Sequence, residues 1–263
     1  MLSLYFVLEE NLFMSLVLFE ICDNAALLTL NNPDKRNMLT LDVCARIVDY
    51  VREAEENPEV KALIVTGSGK AFCAGGQLSD LVPDQQQLEA IYSGFLSIAN
   101  CKLPTIAAVN GPAVGAGFNM AVGCDVRIVT EAARFEPRFF GLGLHPGGGN
   151  TWMLRQLVNW NTAAGMLLFS QSLSGVEAVE KGLAWKCVPA ETLVAEAFEF
   201  TANIRDLPKE LLLRTKETLR KAGGTNSHKE MLDVETAAQV WSINQPYARD
   251  SIAAMIKKIS SQS

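Results

Sequence analysis

The sequence predicts an α/β fold built from strand–helix crossover units with a helical C-terminal region. Three observations carry this. Short apolar runs at 62–66, 105–109 and 126–129 alternate with segments of helical spacing. Turn residues close the runs, as in Gly67-Ser68-Gly69 and Gly111-Pro112. Beyond Thr151 the pattern is mostly helical.

Taken in order, Leu16–Ile21 and Ala25–Leu30 read as a hairpin around an Asp23-Asn24 turn. Asn32-Pro33-Asp34 is a loop. Thr40 is a candidate N-cap for a helix from Leu41 to Asn57, where Val43, Ile47, Val48 and Val51 fall at roughly helical spacing and Pro58 stops the run. Ala62–Thr66 is a buried strand, followed by a short apolar piece, Ala71–Ala74, that runs into Gly75-Gly76. Residues 84–100 form a helix and Thr105–Val109 a second buried strand. Gly115 to Val122 is a helix and Val126–Val129 a strand. Gly141–Gly149 is a glycine-rich loop. Val194–Ile204, Lys209–Lys221, Lys229–Ile243 and Arg249–Ile259 are further helices. A composition shift near residue 200 divides a core over 14–200 from a helical region over 201–263 that suits oligomerisation. Residues 1–13 read as an N-terminal extension, with Met14 an alternative start.

The 263 residues are 49% hydrophobic and 20% charged, enough for one large core. A net charge of −6 argues against a nucleic-acid binder, which needs a basic footprint. The six cysteines contain no Cys-x-x-Cys pair and mostly sit in apolar segments. They predict a reducing cytoplasm, without a disulfide framework or zinc site. His145 and His228 are the only histidines, which weakens any metal site. No apolar run is long enough to span a bilayer. Trp152, Trp160, Trp185 and Trp241 form no stacking array and read as core or subunit interface.

Two small-residue loops follow buried strands: Ala71-Phe-Cys-Ala-Gly-Gly76 and Gly111-Pro-Ala-Val-Gly-Ala-Gly117. Each is able to expose a backbone N–H, and two such donors aimed at one point stabilise a developing oxyanion. Either loop taken alone is equally an ordinary strand-to-helix turn. Neither is a Gly-x-Gly-x-x-Gly dinucleotide loop with an acidic residue at the right distance.

Asn32-Pro-Asp-Lys-Arg-Asn37, Ala71-Phe-Cys-Ala-Gly75, Pro104-Thr-Ile-Ala-Ala-Val-Asn-Gly111 and Cys124-Asp125 together resemble the crotonase, or enoyl-CoA hydratase/isomerase, superfamily. The resemblance runs in order from about Leu16 to the C-terminus. It implies a (ββα)n spiral core with two roughly perpendicular sheets, trimers or hexamers, and an acyl-CoA thioester substrate, so that coenzyme A arrives as part of the substrate. By position, Gly76 and Ala116 would supply the oxyanion N–H groups. Ala116 replaces the usual glycine, which is tolerable because only its N–H is needed. Lys35 and Arg36 would lie near the coenzyme's adenine and phosphates. Met38, Ala74, Gln77, Leu78 and Phe139 would line the substrate site.

The resemblance also implies two hydratase glutamates, but their places hold Asn119 and Phe139. Asparagine binds water without taking its proton, and phenylalanine does neither. Both residues are equally read as mere pocket lining. His145, in the glycine loop, is the remaining candidate base, against the plainer reading of a structural or exposed loop residue. Glu136 and Arg138 read as an exposed ion pair and Asp125 as structural. Three activities follow as expectations: an enoyl-CoA hydratase/isomerase whose reaction departs from hydration; an isomerase, decarboxylase or thioesterase using His145; or an acyl-CoA binder without turnover.

Overall fold

The computed structural model describes residues 15–77, 84–225 and 227–260. The proposed extension over 1–13 lies outside them, and so does Leu78.

Strands β1 (Val17–Cys22) and β2 (Ala25–Leu30) pair antiparallel from Val17–Leu30 to Cys22–Ala25. The connecting turn places Asp23 at φ 52°, a region that short polar side chains tolerate. Helix α1 (Leu41–Glu56) is capped by Thr40, whose hydroxyl accepts from the Val43 N–H. Strand β3 (Ala62–Gly67) is buried at every position, which explains its apolar run Ala62-Leu63-Ile64-Val65. Helix α2 (Gln85–Asn100), β4 (Thr105–Val109), β5 (Pro112–Val114), α3 (Ala116–Gly123), β6 (Val126–Val129) and β7 (Arg134–Glu136) follow. Next come α4 (Asn150–Leu157), α5 (Trp160–Leu168), β8 (Leu173–Ser174), α6 (Gly175–Glu180), β9 (Lys186–Cys187) and α7 (Leu193–Ala202).

The larger sheet has the order β1-β2-β3-β4-β6-β9, parallel from β2 onward. A smaller sheet runs β5-β7-β8. The chain leaves β4 in the large sheet, crosses Asn110-Gly111, and enters β5 in the small one before turning into α3. A similar crossing joins β6 to β7, and a single bridge, Cys73–Ala113, takes the small-sheet place after β3. This is the ββα repeat that the resemblance implied. Alternate residues of the large sheet, Ala62, Ile64, Ile106, Ala108 and Ile128, form one core with Leu193 and Ala197 of α7.

The short strands β5, β7, β8 and β9 and helix α6 correct the sequence reading, which passed over them. So do the tryptophans. Trp152, Trp160 and Trp185 are 67%, 69% and 66% exposed, which removes the reading of these three as core.

Two tethers fix α3 between β4 and β6. The Asp125 carboxylate accepts from the Thr105 N–H at 2.8 Å and from its hydroxyl at 3.0 Å. The buried Arg127 guanidinium donates to the carbonyls of Cys124, Asp125 and Leu183. Burial lowers its pKa, yet it stays in place by satisfying these carbonyls, some of them at the C-terminal end of α3.

Contacts divide the chain into Met1–Arg205 and Asp206–Ser263. The second unit holds α8 (Lys209–Ala222), α9 (His228–Ile243) and α10 (Pro246–Ser260). Within it, Arg214 pairs with Glu210 at 2.7 Å and lies 4.1 Å over the Trp241 ring.

Candidate active site

The site is assembled from loops that the strands deliver to one place. Asn37 anchors the first. It is 1% exposed, accepts from the Asn32 N–H at 2.9 Å, and donates to the carbonyls of Ser68 at 2.9 Å and Ala71 at 2.8 Å. Asn110, at the end of β4, donates to the same Ala71 carbonyl at 3.2 Å. Two asparagines from distant segments therefore pin the start of the 71–77 loop.

Leu39 then pairs with Gly76 as a parallel bridge: Leu39 N–H donates to Gly75 O at 2.8 Å, and Gln77 N–H to Leu39 O at 3.0 Å. Such a bridge uses the peptide groups flanking Gly76 and turns its own N–H to the opposite side. Gly75 reaches this geometry at φ +96°. A Cβ on Gly75 would lie 2.8 Å from Val114 O and 3.5 Å from Ala116 N, so the two small-residue loops abut.

Gly115, at φ +53°, caps α3 and donates its N–H to Glu136 O at 3.0 Å. Ala116 is the first helical residue, so its N–H has no partner within the helix. Among the described residues, neither the Gly76 nor the Ala116 N–H has a hydrogen-bond acceptor. Gly117 is needed for space, since a Cβ there would sit 2.3 Å from Cys73 O. The glycine is set by loop-on-helix packing as well as by any approach of a ligand.

Gly76 and Ala116 both line one cavity of about 650 Å³, a volume suited to a small-molecule ligand. Gly76, Ala116, Asn119, His145, Met38, Ala74 and Phe139 all line it. Lys35, Arg36 and Gln77 do not. Lys35 and Arg36 are exposed beside the rim residue Met38, and the Arg36 carbonyl accepts from Ala74 N–H at 2.9 Å. Arg138 lines the cavity at φ +48° and is held by Glu136 through two hydrogen bonds of 2.9 and 2.8 Å.

The Asn119 amide is committed within the protein. Its Nδ2 donates to Gly147 O at 2.9 Å and its Oδ1 accepts from Asn150 at 2.6 Å. It tethers α3 to the glycine loop. His145 is exposed, with Nδ1 2.7 Å from the Pro146 carbonyl. A carbonyl only accepts, so Nδ1 donates to it and Nε2 is the ring nitrogen left for another partner. Phe139, Leu142, Leu144 and Val114 make much of the remaining wall apolar. Beneath it, burial pushes the Cys73 thiol up to about 12, which leaves it a neutral packing group.

Residues 20–261 match the enoyl-CoA hydratase/isomerase family. A probable enoyl-CoA hydratase of Mycobacterium tuberculosis, EchA14, is 41% identical over 248 residues, covering 90% of this chain and 96% of that protein. The chain belongs to the enoyl-CoA hydratase/isomerase family. The 1,2-epoxyphenylacetyl-CoA isomerase of Escherichia coli is 31% identical over 95% of this chain and 98% of that one. A crystal structure of an enoyl-CoA hydratase subunit I from Geobacillus kaustophilus superimposes with a TM-score of 0.86. It is 28% identical and covers 93% of this chain and 96% of that one. These likenesses establish an acyl-CoA enzyme of the crotonase fold.

Sequence reasoning missed α2 as a wall of this enoyl-CoA hydratase/isomerase family site. Leu88, Ile91 and Tyr92 face the cavity at i, i+3 and i+4. The spacing was readable, but which helix would cover the loops depends on tertiary packing. Asn37 and Asn110 were visible at the ends of their motifs, without any sign that both reach Ala71.

Proposed function

We propose that the cavity binds the acyl end of a coenzyme A thioester and stabilises its enolate through the Gly76 and Ala116 N–H groups. The observation carrying this reading is that two amides without acceptors lie on one cavity wall, on loops packed against each other. Donors fixed in advance in a largely apolar site contribute several kcal/mol to a developing oxyanion. His145 Nε2 is the base that removes a proton next to the carbonyl. Lys35 and Arg36 contact the coenzyme's phosphates, and no further cofactor takes part.

With Asn119 tethering two segments and Phe139 apolar, no carboxylate stands where the family's hydratases place theirs. Net hydration is therefore disfavoured, and proton relocation within the acyl group is the favoured outcome. That one relative is named an isomerase supports this reading. The enzyme is cytoplasmic and works as a trimer or hexamer.

The test is a mass-spectrometric screen of acyl-CoA thioesters, run with the native enzyme, Ala116→Pro and His145→Gln. Proline is accepted at the first position of a helix, so Ala116→Pro removes chiefly one amide hydrogen. We expect slow or undetectable hydration of crotonyl-CoA. On whichever thioester is turned over, Ala116→Pro is expected to lose about 10²-fold or more in rate. His145→Gln is expected to lose most activity. Rapid crotonyl-CoA hydration that survives His145→Gln would overturn the reading. Tight acyl-CoA binding without turnover of any thioester would instead favour a binding protein.

A further inference from the structure

The polar side chains of the cavity divide into committed and free. Asn119 is held at both ends by Gly147 and Asn150, and Arg138 is held by Glu136. His145 has one ring nitrogen engaged by Pro146. Tyr92 is different, because its hydroxyl has no hydrogen-bond partner among the described residues although it lines the cavity. Its ring is packed at 5.5 Å from Phe95, and a Cβ on Gly147 would fall 2.4 Å from its Oη. The hydroxyl therefore sits against the loop whose Gly147 carbonyl holds Asn119. Its helical neighbour Ile91 lies against Gly76, with Ile91 Cγ2 3.7 Å from a Cβ built there. A phenol on a wall shared with Leu88 and Ile91 stays unpaired beside a purely hydrocarbon acyl chain and becomes paired beside an oxygen.

We propose that Tyr92 selects acyl groups that carry an oxygen beyond the thioester, by donating its hydroxyl hydrogen to that oxygen. The inference rests on the acyl-CoA reading of the cavity and adds the chemical class of the acyl group. Tyr92 is a specificity residue on α2, remote in sequence from both small-residue loops. An acyl chain with a keto, hydroxyl or ether oxygen fits, while a saturated chain of the same length leaves the phenol without a partner.

Calorimetric binding of butyryl-CoA, acetoacetyl-CoA and 4-hydroxybutyryl-CoA to the native protein and to Tyr92→Phe tests this. Phenylalanine keeps the ring and its contact with Phe95. The native protein is expected to bind at least one oxygenated thioester about five- to tenfold more tightly than butyryl-CoA. Tyr92→Phe is expected to bind butyryl-CoA as well as the native protein does, and to lose the preference. Binding of all three with equal affinity, or a preference retained in Tyr92→Phe, overturns the role of Tyr92 and leaves the acyl-CoA reading intact. Binding of none overturns both.

Discussion

At the residue scale, Asn119 and Asn37 show how an amide's role follows from what its two ends reach. Asn119, which the resemblance sets at the place of a hydratase carboxylate, has both of its ends bound to protein groups. Asn37, the last residue of the 32–37 motif, holds three backbone groups and pins the start of the 71–77 loop. The cysteines supply a prediction. Burial pushes Cys44 up to about 11 and Cys73 up to about 12, whereas Cys22 is exposed. The thiolate is the reactive form, so a raised pKa and lack of access both slow modification. At pH 8, maleimide labelling followed by peptide mapping is expected to mark Cys22 first and to leave Cys44 and Cys73 unmodified until the protein is denatured. Early labelling of Cys73 would show that the loop beneath the cavity opens.

At the element scale, the contact between the 71–77 loop and α3 sets the distance between the two amides. Gly117 permits it, because a methyl group there would meet Cys73 O at 2.3 Å and Cys73 Cβ at 2.7 Å. Gly117→Ala is expected to push loop and helix apart, at a cost of about 1–3 kcal/mol in stability. Turnover should fall further than the change in melting temperature explains, as measured by kcat beside a thermal melt. An unchanged kcat would separate the chemistry from this contact. The elements differ in how far they were legible. Strands β3 and β4 are five or six residues long and fully buried, so their apolar runs announce them. Strands β8 and β9 have two residues each and exist only through partners far along the chain, Phe135 and Arg134 for one and Ile128 and Val129 for the other. A period of two has no room to appear in so short a run. Tyr92 was hidden for a different reason. Its place on the cavity is fixed by the packing of α2, which no local pattern encodes.

At the scale of the whole molecule, no helix among the described residues is long and apolar enough to cross a membrane. The first unit nevertheless exposes Trp152, Trp160, Phe169 and Trp185, and the second exposes Ile252, Met255, Ile256 and Ile259. Apolar surface on this scale suits subunit contact. Light scattering at micromolar concentration is expected to give a mass of three or six chains, and a stable monomer would contradict this. The proposed acyl-CoA chemistry depends on the Gly76 and Ala116 amides gripping the thioester oxygen. Infrared difference spectroscopy of an acyl-CoA labelled with ¹³C at its thioester carbonyl reads that grip without requiring turnover. The carbonyl stretch is expected to drop on binding to the native protein and to recover part of the way in Ala116→Pro. A bound carbonyl that absorbs at its free-solution frequency in the native protein would contradict the account.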